Sequence, residues 1–121
     1  MNPIFPIQRN NTILYCQQWE ATVRFYRDWL RLPVTFTNVW FVEFRLMEGA
    51  YLSIANVAHA TIQPAHGDGI TLSWKVADIE AAQHQLQELT IETTPIKTKW
   101  GAQVLYLHGP EGHRIELWQA K

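Results

Sequence analysis

The chain alternates short stretches of strand-like and helix-like patterning. Residues 11–17, NTILYCQ, are β-branched and apolar enough to predict a strand. In the next run, WEATVRFYRDWLR, Trp19, Val23, Tyr26 and Leu30 keep helical spacing, while Glu20, Arg24 and Arg27 fall on the other side. That spacing predicts an amphipathic helix. Pro33 marks its exit, because proline disfavours helix for the residue before it. Residues 34–46 and 50–55 read as strands, with a tight Glu48-Gly49 turn between the later ones. The same order then returns. GITLSWKV (69–76) is a strand, and Asp78 is a good N-cap for IEAAQHQLQEL. Ile79, Ala82, Leu86 and Leu89 lie on one face of that helix, and strands follow around 94–98, 102–108 and 113–118.

The halves superimpose at an offset of 60 residues: Cys16 matches Val76, Trp19 matches Ile79, Tyr26 matches Leu86, and Trp40 matches Trp100. Beyond that point the second half carries three extra residues in its last hairpin, HGPEG, so Ser53 matches Glu116. Each half is βαβββ, and a half of this size would bury too little surface alone. The expectation is an α+β fold in which tandem βαβββ modules form one curved mixed sheet, with an inner cleft and helices on the outer face. A single domain over 1–121 would hold repeats at about 10–57 and 68–119.

Period-two alternation sorts the strands. Leu14 and Cys16, Val42 and Phe44, Leu52 and Ile54, Leu72 and Trp74, and Ile115 and Leu117 should pack on the helices. The cleft would then be lined by Tyr15, Phe41, Tyr51 and Trp118, with Asn11, Ser53, Thr71, Ser73 and Gln103 as placed polar groups. Trp40 and Trp100 begin equivalent strands and would stand at the rim of the cleft or at a subunit contact, whereas Trp19, Trp29 and Trp74 read as core. Apolar walls with sparse polar groups describe a small-molecule site. Aromatic walls suit flat ligands, and Glu43 and Glu116 would receive a cationic group. The bland alternative is a cleft filled by its own side chains, with Glu116 paired to Arg45, Lys75 or Arg114.

Composition narrows the partners. Net charge is about −1 with no basic cluster, which argues against nucleic acid. No apolar run approaches the roughly 20 residues that span a bilayer. The opening MNPIFPIQRNN has no apolar core segment and does not read as a signal peptide, so a cytoplasmic location is the default. The lone Cys16 excludes an internal disulfide and any cysteine-based zinc cluster. His59, His66 and His84 read as solvated surface residues, and so does His108 at a strand end. His113 and Glu116 are three apart on a strand and point to opposite sides.

A tandem βαβββ order, a helix carrying FYRDWLRLPV, the motif VADIEAA and the ending GPEGHRIELW together resemble the vicinal oxygen chelate superfamily over roughly residues 10 to 119. That superfamily contains glyoxalase I, extradiol dioxygenases, and fosfomycin- and bleomycin-resistance proteins. Trp100-Gly101 resembles a Trp-Gly pair of the bleomycin-resistance branch. The resemblance implies a homodimer and four metal-ligand positions, which fall on Asn11, Ser53, Thr71 and Glu116. Of these only Glu116 has a suitable side chain, because a catalytic divalent metal there wants histidine nitrogens and carboxylates. The expectation is therefore no metal, no cofactor, and a binding protein for an aromatic or amphipathic compound, an antibiotic or other toxic molecule among the options. The near-neutral charge makes bleomycin itself a poor candidate. The alternative is a lyase, isomerase or dioxygenase-like enzyme of the same superfamily with Glu116 as acid/base. A third reading is an interaction module whose surface matters more than its cleft.

Overall fold

The structure, a computed structural model, describes residues 3–121. The opening-stretch reading starts on residues 1–2, which lie outside the described residues. The chain divides into two compact units, Met1–Ala65 and His66–Lys121, with the division in the segment between the repeats. In the first unit β1 (Asn10–Cys16) leads to α1 (Trp19–Arg24), then β2 (Val34–Thr37), β3 (Phe41–Met47) and β4 (Ala50–Asn56). In the second, β5 (Thr71–Lys75) leads to α2 (Ile79–Glu88), β6 (Lys97–Lys99), β7 (Ala102–His108) and β8 (Arg114–Ala120). Both repeats are βαβββ, as the pattern predicts. Their ladders run within each repeat, as two four-stranded mixed sheets of order β1-β4-β3-β2 and β5-β8-β7-β6. In each, the first strand pairs in parallel with the last.

In the first unit, the run 34–46 is divided by a turn. The Asn38 side chain accepts a hydrogen bond from the Trp40 N–H at 2.9 Å, and its own N–H donates to the Phe41 carbonyl. A short amide side chain can close such a turn itself, which is why the strand breaks there. The helix also departs from regular spacing. After Arg24 it widens into a π segment, Phe25–Trp29, with the Leu30 N–H donating to the Phe25 carbonyl at 2.9 Å. Phe25 and Tyr26 are both buried as a result, with their rings edge-on at 5.0 Å. Trp29, expected in the core, is turned outward to 50% exposure. Val42, Phe44, Leu52 and Ile54 are buried, and Trp19 donates its indole N–H to the Ile54 carbonyl at 2.9 Å, tying α1 to β4.

In the second unit, Asp78 caps α2 by accepting from the Ala81 N–H at 3.0 Å. The Gln119 side chain accepts from the Ile79 N–H at 2.8 Å, so β8 satisfies a second donor at the same helix end. Ile79 and Leu86 of α2 are buried, as are Leu105, Leu107, Ile115 and Leu117 of the sheet. The turn before β8 is packed against the start of the unit. A Cβ at Gly67 would lie 2.5 Å from the Gly112 carbonyl oxygen, so only glycine fits that approach. His113 is buried beside this contact, and among the described residues its Nδ1 has no hydrogen-bond partner. No helix among the described residues is long and apolar enough to cross a membrane.

Two outcomes follow for stability. The Tyr26 hydroxyl is buried without a hydrogen-bond partner among the described residues, and burial raises its pKa. Tyr26→Phe should therefore leave stability unchanged or raise it by about 1 kcal/mol in urea unfolding, and a clear loss would show that the hydroxyl is satisfied. Burial holds the His113 pKa below its ordinary 6.5, with Glu111 opposing that shift and His66 adding to it. The unfolded chain then binds the proton more readily, so this group's contribution is present above 6.5 and is lost as pH falls through and below that value. The urea midpoint should drop between about pH 7.5 and about pH 5.5, and drop less in His113→Gln. An equal drop in both proteins would remove His113 as the cause.

Candidate functional site

In the first unit the face away from the helix is set by register. Ile13, Ser53 and Glu43 form one cross-strand row, Tyr15, Ala55 and Phe41 the next, and Asn11, Tyr51 and Arg45 a third. Tyr15, Phe41, Tyr51, Asn11, Ser53 and Glu43 are thus together on one face, as alternation predicts. Ser53 is fully buried and donates its hydroxyl to the Asn11 side-chain oxygen at 2.8 Å. Glu43 does not wait for a ligand's cation. Arg9, from just before β1, pairs with it at 2.6 Å, and the Thr35 hydroxyl donates to it at 2.8 Å. The Arg9 contact, helped by Thr35, holds the Glu43 carboxyl below its ordinary pKa against a smaller effect of burial. The same guanidinium lies 3.6 Å over the Tyr51 ring. Phe41 has Phe36 at 6.3 Å and Trp40 at 5.4 Å, and Trp40 stacks on His59 at 6.2 Å. His59 is therefore stacked on a ring, although it is exposed as expected.

In the second unit, Ser73, Glu116 and Tyr106 form the central row. Glu116 accepts from the Ser73 hydroxyl at 2.6 Å with one oxygen and from the Tyr106 hydroxyl at 2.9 Å with the other. Its partners among the described residues are these neutral hydroxyls, and the expected pairing with Arg45, Lys75 or Arg114 is not formed. Arg114 instead donates its Nε to the Thr71 hydroxyl at 2.9 Å and lies 4.6 Å over the Tyr106 ring. Lys75 lies 5.3 Å over the Trp118 ring. Lys99 reaches both Trp100, at 5.5 Å, and Tyr106, at 5.6 Å.

One expected position is corrected. Gln103 pairs with Gln119 on the face that carries Leu105, Leu107, Ile115 and Leu117, opposite to Glu116. The residue that joins Glu116 from β7 is Tyr106. The signal that would have found it is the hairpin register: counting back from the Gly109–Gly112 turn puts Tyr106, not Gln103, on the parity of Glu116. Trp100 stands 93% exposed in the β6–β7 turn, with Lys99 over its ring. Arg9, Thr35, Lys99 and Arg114 complete the two faces, and no motif pointed to their roles. His66 is not simply solvated, because its Nδ1 lies 3.4 Å from a carboxylate oxygen of buried Glu111.

The four positions that the resemblance assigns to a metal do not fit one. The Asn11 oxygen already accepts from Ser53, and the Thr71 hydroxyl is engaged by a guanidinium. Both Glu116 oxygens accept hydroxyl protons. Three neutral oxygens with one occupied carboxylate make a poor donor set for a transition metal, and a fixed cation beside one of them opposes it further. Among the described residues no group of three or more His, Cys, Asp or Glu side chains is placed to hold a metal ion.

The family model described as a glyoxalase-like domain matches residues 9–120. No curated protein matches the chain. Among solved structures, a glyoxalase/bleomycin resistance protein/dioxygenase from Nocardioides has 21% identity and a TM-score of 0.78, covering 98% of this chain and 86% of its own. A lactoylglutathione lyase from Agrobacterium tumefaciens has 17% identity and a TM-score of 0.76, with 94% of each chain covered. TnmS3, an antibiotic binding protein from Streptomyces sp. CB03234, has 17% identity and a TM-score of 0.77, with 100% of each chain covered. At these identities the likeness is one of fold. With nearly its whole length matched by the family model, the chain belongs to the glyoxalase-like domain family, within the vicinal oxygen chelate superfamily.

Proposed function

We propose that this protein is a cytoplasmic, metal-free binding protein that holds a small aromatic or amphipathic compound on the aromatic sheet faces of its two repeats, acting as one domain. One observation carries the reading. At the position where metal-using relatives keep a ligand, the Glu116 carboxylate is held by the Ser73 and Tyr106 hydroxyls, at 2.6 and 2.9 Å. The remaining polar groups of these positions are likewise engaged with each other or with Arg114. Tyr15, Phe41 and Tyr51 on one sheet and Tyr106 and Trp118 on the other offer ring surface for stacking, and a half-buried aromatic ring contributes both area and a specific geometry. An antibiotic or other toxic compound is the ligand class favoured by analogy with the antibiotic-binding neighbour, and sequestration alone would protect.

A homodimer is part of the proposal. The edge strand β2 is exposed throughout and carries Val34 and Phe36, whereas its counterpart β6 is guarded by Lys97 and Lys99. An apolar open edge invites a covering chain, and lysines on an edge repel one.

Purified, untagged protein should contain no stoichiometric transition metal. Its melting temperature should not move after chelator or after added Ni, Zn, Mn or Fe(II). A bound metal, or a clear stabilisation by one, would overturn the metal-free reading. Sedimentation equilibrium should return the mass of two chains at micromolar concentration, and a single-chain mass would remove the dimer from the proposal.

A further inference from the structure

We propose that the compound bound here carries an anionic group, such as a carboxylate or phenolate, and that Arg114 and Lys99 receive it beside the Tyr106 ring, with Lys75 adding to the field at Trp118. This rests on the binding reading and names the ligand's charge.

The face that holds Glu116 is unevenly charged. Register puts Lys75, Lys97, Lys99 and Arg114 on it, against Glu116 as the one carboxylate among the described residues of the same strands. Among the described residues none of these four cations is in an ion pair. In the first unit the carboxylate Glu43 is already paired with Arg9. Arg114 and Lys99 both contact the Tyr106 ring, at 4.6 and 5.6 Å, from register positions on either side of the Tyr106–Glu116 row. Ring faces attract cations, but like charges drawn to one ring repel each other, and nothing of opposite sign lies paired with either among the described residues. An anion beside the ring is attracted by both and offsets part of that cost.

The arrangement is also oriented. The Thr71 hydroxyl takes the Nε proton of Arg114, which fixes the guanidinium plane. With Nε engaged, the two Nη groups are the guanidinium edge left for a ligand, and such an edge can meet a carboxylate with two parallel hydrogen bonds. Glu116 itself repels an anion, so the charged group sits at the Arg114 guanidinium, with Lys99 adding to the field from the other side of the Tyr106 row, and the ligand's apolar body lies over the rings. A cationic ligand meets the opposite situation. Glu43 is already paired, both Glu116 oxygens are occupied, and four cations oppose its approach. The expectation that these two carboxylates receive a cationic group is thereby reversed.

The test uses three probes of one shape: 2-naphthoate, 2-naphthamide and 2-naphthylmethylammonium, each titrated into the intact protein and followed by tryptophan fluorescence and by proton NMR of the probe. Naphthoate should bind about tenfold more tightly than the amide, as two or three partly exposed charge contacts would give, and its advantage should shrink with added salt. Arg114→Gln and Lys99→Gln should each narrow the ratio of naphthoate to naphthamide affinity. Arg114→Lys should recover only part of the loss, because it restores charge without the planar fork. Equal binding of all three probes, or a preference for the amide or the ammonium, overturns the anionic ligand and leaves the binding reading standing. A naphthoate preference that survives both glutamine variants overturns the assignment to Arg114 and Lys99. If no probe binds up to its solubility limit, the aromatic binding reading falls, and this inference falls with it.

Discussion

Everything on the two sheet faces depends on a parallel pairing. In each repeat the first strand lies beside the last, β1 on β4 and β5 on β8, and the helix packs over that pair. The helix needs an apolar surface, which Leu52 and Ile54 supply in one repeat and Ile115 and Leu117 in the other. Side chains alternate across a strand, so Ser53 and Glu116 are forced to the opposite face. A slip of one residue would bury Glu116 under α2 and expose Ile115, and a buried unpaired carboxylate costs several kcal/mol, as order of magnitude. Core packing therefore fixes which polar groups meet, and Ser73, Glu116 and Tyr106 form a row for that reason.

The repeats use this shared frame with their acids exchanged. In the first, the carboxylate is Glu43 on β3 and its cross-strand neighbour on β4 is Ser53. In the second, the carboxylate is Glu116 on β8 and the neighbour on β7 is Tyr106. Glu43 and Tyr106 occupy equivalent places, as do Ser53 and Glu116. The exchange changes what each face needs. Glu43 is near enough to the chain before β1 for Arg9 to reach it, and that pair is complete in itself. Glu116 gets two hydroxyl donors and no counter-charge among the described residues.

Much of this was legible in the sequence. The 60-residue offset of β1 and β5, the cap at Asp78 and the Glu48-Gly49 turn express short-range rules, and each reappears as a βαβββ element or its boundary. The three extra residues of the second half enter before β7 and not in the last hairpin, because Glu43 pairs with Ser53 as Tyr106 pairs with Glu116, ten residues apart in both. Alternation placed Asn11, Tyr15, Phe41, Tyr51, Thr71, Ser73 and Trp118 on the expected faces. What failed needed information from beyond the local pattern. The π segment inserts a residue into the turn, so Trp29 rotates out, and helical spacing alone does not reveal such an insertion. Gln103 falls on the opposite face because a strand's parity is fixed by its hairpin, here the turn at 109–112, and not by the strand's own composition. The roles of Arg9 and Arg114 are set by which neighbour a long, flexible side chain reaches, which no spacing rule encodes.

The last of these matters most for the charge on the second unit's face. Arg114 is two residues from Glu116 on the same strand and on the same face, so an ion pair between them would be unsurprising. It turns instead toward Thr71 and Tyr106. The cost of that choice is small, because a partly exposed ion pair contributes only about 0–1 kcal/mol, while a hydroxyl acceptor and a ring face offset much of the loss. The consequence is larger than the energy involved. Had the pair formed, the one acid on these strands would have quenched the best-oriented cation. Since Ser73 and Tyr106 take both carboxylate oxygens, Glu116 is satisfied by neutral groups and Arg114 is left without a counter-charge among the described residues. The hydroxyls thus act as insulation, keeping a negative and a positive group on one small face without either cancelling the other.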